Sequence, residues 1–168
     1  IHTRAGVMKT QLTHAGVQCH MGKATVHPQH SISVGTERID GYFVSTGNPH
    51  FVIFGVYDDA SRLMYAPEIC EHRDFEEGVN VSFARVTAQN SIELNVFERG
   101  CGWTNACGTA ATATAAAYWT DTQRIGQQTL VKLPGGRLQI SGALDDVIME
   151  GDATFVFEGR CAFSVSYT

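Results

Sequence analysis

The sequence predicts an α+β domain, a curved and mainly antiparallel sheet or barrel around one central Ala-rich helix. Three observations predict it. Short runs rich in Val, Ile and Phe recur along the chain, separated by Gly, Asn and Asp, the pattern of strands and turns. Helix signals are few. The strongest, Cys107–Trp119 (CGTAATATAAAYW), is dominated by Ala, with Thr at 109, 112 and 114 adding little bulk. Backbone can approach such a helix on every side, so it belongs within a structure rather than on its surface.

In chain order, strands are expected at Gly16–Met21, Gly41–Ser45, Phe51–Val56, Val79–Thr87, Ser91–Phe97, Leu130–Leu133, Leu138–Ser141, Val147–Glu150, Thr154–Phe157 and Ala162–Ser166. Thr87-Ala88-Gln89-Asn90 and Pro134-Gly135-Gly136 read as hairpin turns. A short helix is expected at Pro67–His72, with Pro67 in its first turn. No repeat, low-complexity tract or linker interrupts the pattern.

The 168 residues suit one sizeable domain or two small lobes. Seventeen acidic against twelve basic residues give a net charge of −5, with no Lys/Arg stripe, which excludes nucleic acid as the expected partner. Nothing approaches the roughly twenty apolar residues of a membrane span. The first ten residues, IHTRAGVMKT, do not read as a secretory signal. Cys19, Cys70, Cys101, Cys107 and Cys161 are odd in number, scattered and without a CxxC pair. That argues against structural zinc and a thioredoxin-type motif and points to a reducing cytoplasm. His27 and His30 have loose metal-ligand spacing but lack a third ligand, so no metal is expected.

Chemistry concentrates between Glu98 and Thr109. Ser91–Phe97 alternates, with Ile92, Leu94 and Val96 on one face, and Glu98 falls next on that face. A carboxylate ending a buried face is partly desolvated and is the stronger base for it. Gly100 and Gly102 permit a tight path into the Ala-rich helix, placing Cys107 and Gly108 at its N-terminus. Unpaired N–H groups and the helix dipole favour an anion there, so the Cys107 thiol pKa is expected to fall. The amides of Gly108 and Thr109 can hold a substrate carboxylate, and Gly108 has no side chain in the way. The bland alternative is a small buried hydrophobe at Cys107 and a helix cap at Thr109.

Those residues resemble the diaminopimelate epimerase family. Its pattern is similar to E-R-G-x-G-E-T-x-A-C-G-[ST]-G, and this chain reads ERGCGWTNACGTA from Glu98. Gly47-Asn48-Pro49-His50 resembles the family's GNPH loop, Asn80 in GVNVSF its substrate-binding Asn, and Leu133–Leu138 (LPGGRL) its LPGG hairpin. Thr3 to Gly22 resembles more weakly the end of the family's first half.

The resemblance implies cofactor-independent interconversion of LL- and meso-diaminopimelate, a step of lysine biosynthesis, by two thiols. One thiolate takes the α-proton and a thiol on the opposite face returns one. It makes Cys107 the second-half thiol, Glu98 its base partner, and His50 the partner of the first-half thiol. Asn48, Asn80 and Arg99 then bind the distal end of the small amino-acid substrate, and Gly108 and Thr109 bind the reacting carboxylate. It divides the chain into residues 1–22, the tail of a first-half lobe, and 23–168, a C-terminal domain whose last strand returns to that lobe.

Three departures matter. Trp103 stands where the family has Glu, as a plug or part of an interface, and Ala110 replaces Gly. The first-half cysteine motif, N-x-x-G…C-G-N-G-x-R, does not occur. One chain therefore supplies one thiol. The readings are an epimerase lacking its first half, a degenerate single-domain binding or structural protein, and a homodimeric racemase in which two copies of Cys107 face each other.

Overall fold

A computed structural model describes residues 1–3 and 6–160. Among them the order is β1 (His2–Thr3), β2 (Gly6–Val7), β3 (Thr10–Thr13), β4 (Gly16–Gly22), β5 (Thr25–Val34), β6 (Glu37–Ser45), β7 (Pro49–Phe54), α1 (Asp59–Cys70), β8 (Asn80–Ala88), β9 (Ser91–Glu98), β10 (Gly102–Thr104), α2 (Gly108–Thr122), β11 (Thr129–Leu133), β12 (Gly136–Ala143) and β13 (Asp146–Gly151). β1 pairs only with β2, and the other strands form one sheet.

That sheet runs β3-β4-β13-β12-β11-β9-β8-β7-β6-β5, with β10 added beside β9. The expectation of a mainly antiparallel sheet needs refining, because β7–β8 and β9–β11 pair in parallel. Each parallel pair is bridged by a helix, α1 for the first and α2 for the second. A parallel connection needs such a crossover, whereas a hairpin does not. Among the described residues no ladder joins β5 to β3, so the sheet is open rather than a closed barrel.

The helices lie on opposite faces. On one face α2 packs with Val44, Val52, Ala84, Ile92, Leu94 and Val96. On the other, Ala66, Ile69 and Cys70 of α1 pack with Phe51, Ile53, Val81 and Phe83. Strands β6–β8 are therefore apolar on both faces, whereas β9 and β11–β13 add Ile92, Leu94, Val96, Val131, Ile140 and Val147 to the α2 side. Burying a side chain the size of Phe51 or Ile53 stabilises by roughly 1.5–3 kcal/mol, so both faces matter to the fold.

Ala110–Trp119 are buried without exception, and β5–β8 and β11–β13 all touch α2. Its hydroxyls fare differently: the buried Thr114 Oγ1 has no partner among the described residues, whereas others turn back onto the helix. Thr112, Thr120 and Thr122 donate to the carbonyls of Gly108, Ala116 and Tyr118 at 2.9, 2.9 and 2.7 Å. Trp119 Nε1 donates to Thr129 Oγ1 at 2.8 Å.

Several sequence expectations change. The short helix at Pro67–His72 is the end of α1, which begins at Asp59 behind an Asp58 cap whose carboxylate accepts from Ser61 N at 2.8 Å. Pro67 lies inside that helix rather than in its first turn. β5 was not expected, because Pro28, two His and Gln break its alternation. It is an edge strand with a register shift between Val26 and Gln29, where Pro is tolerated. Thr154–Phe157 forms no strand: residues 152–160 are irregular, and Phe155, Val156 and Phe157 are exposed. The expected strand Ala162–Ser166 lies outside the described residues.

Candidate active site

Register places the expected residues in one row. His50 of β7 pairs with Val44 on one side and Asn80 on the other. The β8–β9 ladder pairs Val81 with Phe97, so the next step brings Asn80 to the level of Glu98. Val44 and Val96 belong to the cluster around α2, so His50 and Glu98, in phase with them, face that helix.

The N-terminus of α2 comes to this row because β10 turns back on β9. Gly102 pairs with Glu98, and Gly100 and Gly102 both adopt φ of +80°, a backbone that favours glycine. Asn105, Ala106 and Cys107 then lead into the helix. The LPGG hairpin secures that lead, since Gly135 N donates to Asn105 O at 2.7 Å. A Cβ on Gly135 would stand 2.9 Å from that oxygen, which accounts for glycine there.

Cys107 is the N-cap of α2 in extended conformation and is buried. Its Sγ lies 3.4 Å from Thr109 Oγ1. Burial pushes the thiol above its usual value, the Thr109 hydroxyl and Ala110 amide pull it back, and the Glu98 carboxylate pushes it up again. The expected fall is thus reversed. The helix terminus stabilises a thiolate, but removing the sulfur from water and facing it with a carboxylate outweigh that gain. The resting form is the thiol.

From Thr109 the contacts run on to His50. Asn48 Nδ2 donates to Thr109 Oγ1 at 3.3 Å, and Asn48 Oδ1 lies 3.1 Å from His50 Nε2. Thr46 Oγ1 also donates to Asn48 Oδ1, at 3.2 Å. His50 is fully buried, and burial pulls its pKa down to about 4, so the ring is neutral near pH 7. Its Nδ1 is buried and has no partner among the described residues.

Asn80 bonds backbone at both ends of its amide: Nδ2 donates to Pro49 O at 3.0 Å, and Oδ1 accepts from Arg99 N at 2.9 Å. It ties the GNPH loop to the turn after Glu98. The Arg99 guanidinium donates to Glu77 O at 2.5 Å and Gly78 O at 3.4 Å. Gly108 begins α2, but the space a Cβ would take is occupied by Met149, whose Sδ would lie 2.9 Å away. The open approach expected above Gly108 is thus filled by a flexible side chain.

Trp103 stands apart. Its ring packs against Phe97 and Phe83, with centroids 5.5 and 6.1 Å away, in the apolar cluster on the α1 side. Alternation along β10 turns its neighbour Thr104 the other way, toward Glu98. Thr104 is a residue the sequence reading missed: its hydroxyl donates to Glu98 Oε1 at 2.5 Å. Thr46 was missed too. Alternation within the three-residue β10 was the available signal for Thr104, and Thr46 carried none.

His27 and His30 sit on β5. His27 meets the Phe43 ring edge-on at 5.3 Å, and His30 Nε2 bonds Asp74 at 3.0 Å. They border a cavity of about 590 Å³ shared with Phe43, Asp74 and Phe75, lined by neither Cys107, Glu98 nor His50.

A family model described as Diaminopimelate epimerase matches residues 42–156. A diaminopimelate epimerase of Xanthomonas axonopodis pv. citri is 38% identical over 142 residues, covering 83% of this chain and 50% of that protein. One from Neisseria meningitidis is 44% identical over 126 residues, covering 72% and 44%. The chain spans about half the length of these curated relatives. Among solved structures, a probable proline racemase from Agrobacterium radiobacter superposes with TM-score 0.67 at 14% identity, over 88% of this chain and 54% of that one. A PhzF-family protein of Bacillus anthracis gives 0.67 at 13% identity, over 96% and 67%. These last two are likenesses of fold.

Proposed function

The chain belongs to the diaminopimelate epimerase family, and on that premise we propose that it carries half of a two-thiol site for LL/meso interconversion of diaminopimelate. Cys107 exchanges the α-proton on one face of the substrate, with Glu98 as its base partner. His50 serves a second thiol that lies outside the described residues. Asn48, Asn80 and Arg99 take the distal end of the substrate, and the Gly108 and Thr109 amides take the reacting carboxylate.

The single observation that carries this reading is the convergence of Cys107, Thr109, Asn48 and His50 in one line of contacts at the start of α2. The chemistry asks for such a place. An α-proton beside a carboxylate is weakly acidic, so charge developing on removal needs N–H donors in a site closed to water. A helix N-terminus offers those donors. Glu98, facing Cys107, is poised to take the thiol proton and leave a thiolate to attack the α-hydrogen. Thr104 holds Oε1 of that carboxylate.

Within this reading α2 is the central helix of one epimerase half, built by residues 23–168, and residues 1–22 are the tail of the other. The protein acts in the cytoplasm, in lysine biosynthesis, without a metal or organic cofactor. One observation favours a second reading, a binding protein that has lost turnover: the Cys107 thiol is pushed up, not down.

The two readings separate in D2O. Purified chain incubated with LL-diaminopimelate should place deuterium at the α-carbon, and Cys107→Ser should abolish that incorporation. Binding of diaminopimelate without incorporation would favour the second reading.

A further inference from the structure

The line from Cys107 to His50 passes through a side chain whose two ends are chemically different. Asn48 offers a carbonyl oxygen, which only accepts, and an amide nitrogen, which only donates. Its oxygen meets Thr46 Oγ1 at 3.2 Å and His50 Nε2 at 3.1 Å. Its nitrogen donates to Thr109 Oγ1 at 3.3 Å. Facing an acceptor, His50 Nε2 must carry the ring proton, so Nδ1 is the bare nitrogen. Thr109 Oγ1, already accepting from Asn48, has its own hydrogen for the sulfur 3.4 Å away.

We propose that the Asn48 carboxamide sets the hydrogen-bond polarity of the resting site, directing the Thr109 hydrogen at the Cys107 sulfur and leaving at His50 Nδ1 a lone pair that receives only a hydrogen-bond donor. Asn48 acts through Thr109 and His50 as a positioning residue, in addition to any contact with substrate. Fully buried and unpartnered among the described residues, Nδ1 is the mark of the missing donor. An anionic thiolate or a carboxylate does not satisfy it, whereas a protonated thiol does. That the donor is a thiol rests on the two-thiol reading; the polarity does not. It places a protonated group opposite His50 in the resting site, and the two poles exchange acid and base roles with the direction of the reaction.

The turned carboxamide makes the opposite statement. With nitrogen toward His50, Nε2 would be bare, Nδ1 protonated, and Thr109 would give its hydrogen to Asn48 rather than to sulfur.

Two measurements on the full chain test it. In the ¹⁵N spectrum of the labelled protein at pH 7, His50 should show a bare Nδ1 and a protonated Nε2; a proton on Nδ1 overturns the proposal, and no variant is needed. In the second, iodoacetamide labelling of the Cys107 peptide is followed against pH. Glu98 is the charged group facing this thiol, and it is kept in every variant. Losing a hydrogen bond to the thiolate in Thr109→Val should move the labelling midpoint up by about one pH unit. Thr109→Ser should restore it, and an unmoved midpoint in Thr109→Val overturns the proposal. Absence of α-deuterium exchange alongside a bare Nδ1 and a shifted midpoint would remove the epimerase reading and support the polarity.

Discussion

At the scale of single residues, the site depends on two buried groups whose protonation is set by removal from water. His50 has a folded pKa of about 4 against an ordinary value of 6.5, because burial disfavours the imidazolium. The unfolded chain binds that proton first as pH falls. The stability tied to neutral His50 is therefore fully present above pH 6.5 and is lost between about 6.5 and 4. The gap corresponds to about 3 kcal/mol between pH 7 and pH 4. Urea unfolding across that range should show the loss, and His50→Gln should flatten it relative to the parent; parallel profiles would contradict the assignment. Thr104 is the second test. Thr104→Val removes the hydroxyl on Glu98 Oε1 and leaves a half-buried carboxylate short of a partner. It should cost about 1.5–3 kcal/mol in urea unfolding, and Thr104→Ser should recover most of that.

At the scale of elements, α2 was legible because its composition is a statement about packing: Ala on all sides predicts burial on all sides, and Ala110–Trp119 are buried throughout. Ala115→Leu should then destabilise by about 1–3 kcal/mol through overpacking, and Trp119→Ala by about 3–5 kcal/mol through the void it leaves, both read by chemical denaturation. A helix tolerant of Leu at 115 would contradict close approach on that side. The strands β8 and β9 were legible from alternation, since Ile92, Leu94 and Val96 repeat at period two and Glu98 follows in phase. β5 was not, because an edge strand pairs through one side only and admits Pro28 and polar residues that erase the pattern. The parallel pairings were not legible either, because alternation says which face a residue takes and nothing about the direction of its neighbour. Glu98 and Cys107 could be read from local order, whereas the Asn48–Thr109 contact joins residues 61 apart in sequence. Gly135 belongs at this scale as well. Gly135→Ala forces a methyl against Asn105 O, displacing the lead into Cys107. It should slow Cys107 alkylation at least tenfold more than it changes labelling of exposed Cys101, which peptide-resolved mass measurement checks.

At the scale of the whole molecule, two helices on opposite faces of one open sheet bury both faces of β6–β8, and the site row crosses those strands into β9. One face of the row meets α2, and the two-thiol reading proposed above takes its second proton donor from outside the described residues. A single thiol works on one face of a stereocentre. Proton removal and return by Cys107 alone exchange the α-hydrogen with retention, while inversion requires a donor on the opposite face. The most direct measurement is therefore ¹H NMR and mass spectrometry of LL-diaminopimelate held in D2O with the purified chain, beside Cys107→Ser. The expected result is α-deuterium in recovered LL isomer, running ahead of meso product and absent with Cys107→Ser. No deuterium at any protein concentration, or incorporation that survives Cys107→Ser, would contradict the assignment of Cys107 as the proton-transfer group.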